Sequence, residues 1–193
     1  AIWQLQPTLP DMNTIEGSLF IMTTPPLNST LSDQLRESFE PGDGRKTHWI
    51  DSVQINSATY YFPYKYKIAG SSTVLEYSMV LRLAEQYLIR AEARLRQNNV
   101  AGCLSDLNAI RNRAGLESIS TNNPDALLKS VMQERKVELF TEWGHRWLDL
   151  KRTQTIDSIL SPQKTGWKNS AALFPIPQTE IQNDPNLTQN PAY

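Results

Sequence analysis

At 193 residues, with 39% hydrophobic residues and a formal net charge of −1, the chain is long enough to bury one globular core. The near-zero charge argues against a nucleic-acid-binding protein, which usually needs a clustered basic face. No run of about 18 apolar residues occurs, so the sequence predicts no membrane-spanning helix. The chain begins AIWQLQ, without an initiator Met or a leader pattern, and we expect it to be the C-terminal portion of a longer protein.

The first 73 residues are predicted to be rich in loops. Prolines interrupt the first thirty residues, where Ala1–Leu5 and Ser18–Met22 each predict a short strand. Ser32 is a suitable N-cap for a short helix that would end near Phe39. The stretch 47–67, THWIDSVQINSATYYFPYKYK, is rich in β-branched and aromatic residues and predicts a loop or an irregular hairpin.

A helical scaffold is predicted over 74–153. Apolar residues recur every three or four positions, which is typical of one face of a helix. The pattern predicts helices over 77–97, 100–114 and 124–153. The break at Asn98-Asn99 leaves a two-residue connection, so the first two helices should be antiparallel neighbours.

The third predicted helix carries two tryptophans on one stripe. Trp143 and Trp147 are spaced one turn apart, and we expect both to be buried against the 77–114 helix pair. Glu142 and Arg146 are also four positions apart, a spacing that favours an ion pair on a helix.

The tail over 154–193 is predicted to be an extended segment lying over the helices. It is rich in proline, but its apolar residues are too many for a disordered tail. The sequence therefore predicts a single domain over 1–193. Its fold class is mostly α, with tetratricopeptide-like helix pairs, long irregular loops and an extended C-terminal tail.

No motif for catalysis, metal binding or cofactor binding stands out. His48 and His145 are far apart and neither has a second ligand at zinc spacing, so we expect no metal. Glu138 and Glu142 lie one turn apart, but nearby arginines favour ion pairs over an acid/base couple. The single cysteine, Cys103, is interpreted as a small core residue. We predict no cofactor and no enzymatic activity.

Several aromatic residues lie outside the helical stripes. Exposed rings can stack on sugar rings, although packing of irregular segments onto the helices is the more common role of such residues. If this portion contributes to a sugar-binding site, Trp3 and Trp49 are the best candidates for the contacts, because each offers a broad apolar face and an indole N–H donor. Both lie in the irregular segments 1–30 and 47–67, and loops on a rigid scaffold usually carry binding.

Five segments in order resemble the C-terminal part of the SusD/RagB family of surface glycan-binding lipoproteins from Bacteroidetes. They are FEPGDGRKTHWI with its Asp43-x-Arg45 pair, YYFPYKYK, the helix pair LRLAEQYLIRAEARLRQNN and LNAIRNRAGL, ERKVELFTEWGHRWLDLKR, and LFPIPQTEIQNDPNLTQNPAY. Members of the family are usually more than twice as long, and the N-terminal helices of the family are missing from this sequence.

The resemblance implies a mostly helical, non-enzymatic protein at the surface of the outer membrane, held there by an upstream lipid anchor. Such a protein would capture oligosaccharides and pass them to a partner SusC-like TonB-dependent transporter. In the alternative interpretation, the helix pairs dock the transporter and this portion binds no sugar. A glycoside hydrolase is disfavoured by the interpretation of Glu138 and Glu142 as ion-paired residues.

Overall fold

The structure is a computed structural model that describes residues 1–8, 11, 13–24 and 29–193. Part of the irregular segment predicted over 1–30 therefore lies outside the described residues. The described chain forms two compact units, Ala1–Trp143 and Gly144–Tyr193. The single domain predicted over 1–193 stays a prediction.

The elements of the first unit are β1 Trp3–Leu5, α1 Ile15–Phe20, α2 Asp33–Arg36, α3 Gly44–Trp49, β2 Ile50–Ile55, β3 Ala58–Pro63, β4 Ser78–Leu81, α4 Leu83–Arg96, α5 Val100–Arg113 and α6 Pro124–Glu138. The elements of the second unit are α7 His145–Arg152, α8 Ile156–Leu160, a 3₁₀ turn over Asn169–Ala172 and α9 Gln178–Asn183. The mostly α fold class is confirmed.

The main core lies between α4, α5 and α6, where the predicted apolar faces meet. Its buried residues are Ala84, Leu88, Ala91, Leu95, Cys103, Leu107, Ile110, Leu127 and Val131. Arg94 reaches the carbonyl of Gly102, whereas Arg90, one turn earlier, reaches Asp106, one turn later. The two helices therefore run antiparallel, as predicted. Cys103 is fully buried in this core, which confirms its interpretation as a core residue.

The start of the first predicted helix is wrong. Residues 78–81 form β4, which pairs antiparallel with β1, and α4 begins only at Leu83. Val80 fits the helical period of the residues that follow it, but a strand partner some 75 positions away overrides that local pattern. The predicted edge strand over Ala1–Leu5 is confirmed as β1.

Within 47–67, where a loop or an irregular hairpin was expected, residues 50–63 form a regular hairpin. Strands β2 and β3 pair from Ile50 with Pro63 to Ile55 with Ala58. Asn56 and Ser57 both have positive φ, as a two-residue turn of type I′ requires. Pro63 stands at the end of the ladder, where its missing N–H does least harm.

Three short helices precede and flank the hairpin. The strand predicted over Ser18–Met22 is wrong, because α1 occupies this region and Thr14 caps it by accepting from the Gly17 N–H. The Ser32 cap is confirmed, although α2 ends already at Arg36. Helix α3 was not predicted, and the side chain of Asp43 caps it.

The long helix predicted over 124–153 is also wrong, because the chain leaves the helical path after Glu138. Thr141, Trp143 and Gly144 all have positive φ, and α7 begins only after them. Trp143 is 54% exposed, so its predicted burial is wrong as well. Its indole Nε1 donates to the carbonyl of Met79 at 2.7 Å, which ties this turn to β4.

The second unit has a small core of its own. Trp147 lies beside the buried residues of α7 and α8, with its ring 6.3 Å from that of Trp167 and 5.4 Å from that of Phe174. The tail is less extended than expected, since short helical elements interrupt it. The predicted burial of Trp147 against the 77–114 helix pair stays a prediction.

Candidate ligand-binding site

A buried ionic network begins at the Asp43-x-Arg45 pair. Arg45 binds both carboxylate oxygens of Asp43, through Nε at 2.9 Å and Nη2 at 2.8 Å, and its backbone N–H donates to the same carboxylate. The remaining guanidinium nitrogen points to α6, where it binds Glu134 and Glu138. This Asp-x-Arg pair therefore fixes the loop before α3 onto α6, a structural role.

Glu138 is the centre of this network and is fully buried. Its Oε2 accepts from Arg45 at 3.0 Å and from Arg113, and its Oε1 accepts from Arg82 at 2.7 Å. Burial opposes ionisation of Glu138, but the charges of Arg82 and Arg113 outweigh it and lower its pKa. At the neighbouring Glu134, burial prevails and the pKa is raised.

Lys65 and Arg82 extend the network to the surface. Arg82 Nε donates to Glu142 at 2.9 Å, and Lys65 Nζ donates to the other oxygen of the same carboxylate. Both cations also bind the C-terminal carbonyl of α6 at 2.8 Å, where the helix dipole favours positive charge. Lys65 Nζ lies 4.8 Å from the ring centre of Trp49 and 4.3 Å from that of Phe140. Burial lowers the pKa of Lys65 to about 8.

These groups form one side of a cavity of about 540 Å³. The residues that line it come from β1, α3, the 64–77 segment, β4, the N-cap of α4 and the turn after α6. They are Gln4, Trp49, Lys65, Tyr66, Val74, Leu75, Glu76, Tyr77, Met79, Arg82 and Glu142. The volume lies in the range of small-molecule pockets, and the lining combines aromatic rings with a few polar groups.

Two polar groups of the cavity are held by backbone amides. The hydroxyl of Tyr66 accepts from the Met79 N–H at 2.8 Å, so its own proton can be donated elsewhere. Burial, together with the charges of nearby glutamates, raises the pKa of Tyr66 to about 12, which keeps this proton in place at neutral pH. The carboxylate of Glu76 accepts from the amides of Lys67 and Ile68 at 2.8 and 3.0 Å.

The structure brings only one of the two predicted tryptophans to the cavity. Trp49 is half-buried in the cavity wall and also packs against Phe140, with ring centres 6.5 Å apart. Trp3 is 53% exposed on β1 and does not line the cavity, although its neighbour Gln4 does. Sequence reasoning missed Tyr77 because its segment was assigned to the first helix.

Glu138 and Glu142 do form ion pairs, as interpreted from the sequence, but their partners are not the nearby arginines that were expected. Both carboxylates bind cations that are distant in sequence. The expected pair of Glu142 with Arg146 assumed a continuous helix, and α6 and α7 are separated by the turn.

Among the described residues, no cluster of three or more His, Cys, Asp or Glu side chains could hold a metal ion. No helix in the described part of the chain is long and apolar enough to cross a membrane.

The fold and the cavity define a helical-hairpin scaffold that carries an aromatic-lined pocket. Comparison with known proteins identifies the family within this class. The SusD_RagB model of the SusD family matches residues 32–193. The chain therefore belongs to the SusD family, which confirms the resemblance found in the sequence.

The relatives are longer than this chain. The starch-binding protein SusD of Bacteroides thetaiotaomicron is 33% identical over 129 residues, which cover 59% of this chain and 21% of that protein. The SusD-like protein P38 of Formosa agariphila is 26% identical over 138 residues, which cover 66% of this chain and 27% of that protein. A SusD superfamily structure from Parabacteroides distasonis has a TM-score of 0.77 at 25% identity and covers 99% of this chain and 49% of its own. Surface glycan-binding protein A of Bacteroides uniformis shares the fold, with a TM-score of 0.70 at 21% identity over 98% of this chain and 48% of its own.

Proposed function

We propose that this chain binds oligosaccharides in the cavity and belongs to a non-enzymatic uptake protein of the bacterial cell surface. The observation that carries the proposal is the cavity itself, where Trp49, Tyr66 and Tyr77 lie beside planar polar groups in a chain of the SusD family. A relative, the starch-binding protein SusD, is named for a carbohydrate ligand, which supports the same ligand class. The protein would pass its ligand to a SusC-like TonB-dependent transporter and would be held at the outer membrane by an upstream lipid anchor.

The chemistry of the lining suits sugars. An aromatic ring offers an apolar face for the C–H groups of a pyranose, and phenol, amide and carboxylate groups bind its hydroxyls. The ionic network behind the wall fixes Lys65, Arg82 and Glu142 before a ligand arrives, which reduces the entropy lost on binding. Affinity should nevertheless be weak, because sugar hydroxyls exchange water for protein hydrogen bonds at a small net gain.

The same geometry disfavours catalysis in the cavity. A general acid needs a carboxyl group that is protonated near neutral pH. Glu138 is held ionised by arginines, and both oxygens of Glu142 accept from cations. Neither residue is available as an acid/base couple for glycoside hydrolysis.

A docking scaffold that binds no sugar is the second candidate. Four exposed apolar side chains favour it: Trp3, Leu5, Leu81 and Leu83, on β1, β4 and the start of α4. Such a patch is typical of a protein-binding surface. Under this alternative, Trp3→Ala would weaken transporter binding, and no oligosaccharide would bind to the chain.

The test is a glycan array with the 193-residue chain, followed by calorimetric titration of the best ligand. Tyr77 lines the cavity and is 37% exposed, whereas Tyr60, which is 36% exposed, lies on β3 outside it. We expect Tyr77→Ala to weaken binding by about 1–3 kcal/mol, as truncation of a contacting aromatic residue does at binding hot spots, and Tyr60→Ala to retain wild-type affinity. Equal affinities in the two variants, both folded by circular dichroism, would contradict this location of the site.

A further inference from the structure

Most of the charged side chains that line the cavity form ion pairs with one another, and these ion pairs limit the charge of the sugar that the cavity can bind. Resting on the proposed function, we propose that the cavity selects uncharged oligosaccharides and discriminates against acidic ones, such as those that carry uronate groups. Sites for anionic ligands normally present arginine or lysine side chains whose donors face the ligand.

The two cations that line this cavity are already engaged. Lys65 Nζ donates to Glu142 and to the C-terminal carbonyl of α6, and only 12% of its side chain is exposed. All three nitrogens of Arg82 donate to Glu138, Glu142 and the same carbonyl, at 2.7 to 2.9 Å. These contacts leave two N–H donors on Arg82 and one on Lys65, but the charge of each cation already faces Glu138 or Glu142, so a ligand carboxylate would gain little net attraction from either.

The hydrogen-bond acceptors of the cavity favour a ligand that donates hydrogen bonds. Three of the four carboxylate oxygens of Glu76 and Glu142 accept one hydrogen bond each and can accept another, whereas Oε2 of Glu76 already accepts from two amides. A sugar hydroxyl can donate to them, whereas a carboxylate or sulfate group can only accept and would meet like charge. The negative charge of this region also acts on Tyr66. The charges of Glu16, Glu142 and Glu76 add to burial in raising its pKa.

The charges that line the cavity therefore offer an acidic ligand no net attraction. Lys65 and Arg82 are balanced by Glu76 and Glu142, and Glu76 has no cationic side chain among its hydrogen-bond donors in the described structure. Glu76 is consequently the residue whose charge should most directly repel an anionic sugar. Its replacement by Gln keeps the size and one acceptor oxygen while removing that charge.

The experiment is a calorimetric titration of the 193-residue chain with maltohexaose, cellohexaose, mannohexaose and galactohexaose. The tightest binder is then compared with its C6-oxidised form, in which CH₂OH groups become carboxylates. We expect the oxidised form to bind at least about tenfold more weakly, which corresponds to about 1.4 kcal/mol. The ratio should shrink in Glu76→Gln and also between 0.05 and 0.5 M salt, because screening weakens the repulsion.

Glu117→Gln is the matched control, since it removes one exposed carboxylate that does not line the cavity, and it should leave the ratio unchanged. Equal or tighter binding of the oxidised sugar would overturn this inference while leaving the proposed function intact. A ratio that resists both Glu76→Gln and salt would overturn its electrostatic basis. Failure of all four neutral sugars to bind would overturn the inference and the proposed function together.

Discussion

Removing the charge of Glu138 should destabilise the protein strongly. Its side chain is fully buried and accepts from Arg45, Arg82 and Arg113, so Glu138→Gln leaves these cations without their shared anion. Breaking a buried ion pair by removing one partner costs about 3–5 kcal/mol. Arg113 is partly exposed and can turn to water, and Arg45 keeps other carboxylates, so we expect a loss near 3 kcal/mol.

Thermal unfolding followed by circular dichroism measures this loss. For a chain of this size, 1 kcal/mol shifts Tm by about 2–4 °C, so Glu138→Gln should lower Tm by about 6–12 °C. Glu117→Gln removes an exposed carboxylate by the same substitution and should change stability by less than about 0.5 kcal/mol. If the two variants unfolded at the same temperature, the central role assigned to Glu138 would be wrong.

Two further predictions concern the surroundings of the cavity. Gly17→Ala should cost about 1–3 kcal/mol in the free energy of unfolding, because a Cβ there would lie 2.3 Å from the backbone oxygen of Ile68. Gly70→Ala, whose Cβ would meet nothing closer than 3.7 Å, is the control, and equal midpoints in urea would refute the steric argument. Burial lowers the pKa of Lys65 from 10.5 to about 8. Between these pH values the unfolded chain therefore binds more protons than the folded chain. As pH rises through this range, we expect the wild type to gain stability relative to Lys65→Met. Urea midpoints that stay parallel for the two proteins from pH 7.5 to 10.5 would contradict the lowered pKa.

The helical hairpin could be predicted from the sequence because its information is local. The apolar residues of α4 and α5 repeat at the helical period, and the connection between them is too short for any arrangement but an antiparallel one. Burial of Cys103 follows from its place on that apolar face.

The errors occur where distant partners or backbone strain decide the structure. The helical periodicity of 77–97 cannot reveal that β1 pairs with β4, so the first helix was predicted to begin too early. It also carried the third helix across Gly144, although a glycine in a helical pattern is a warning of a possible end. Thr141 and Trp143 adopt positive φ in that turn, and only the tertiary structure accounts for it.

The candidate site was only half accessible to sequence reasoning. Aromatic composition pointed to Trp49 and to the loops around it, and Trp49 does line the cavity. Tyr77 was hidden by the mistaken helix start, and no motif singled out Glu76. The partners of Glu138 lie on α3, at the N-cap of α4 and on α5, which no spacing rule within α6 could connect.

The most direct test of the account is a crystal structure of this chain with the tightest ligand from the glycan array. The account predicts a sugar ring in the cavity, stacked on Trp49 or Tyr77 and hydrogen-bonded to Glu76 or Glu142. Ligand density on the exposed β1–β4 surface beside Trp3, with the cavity empty, would contradict it.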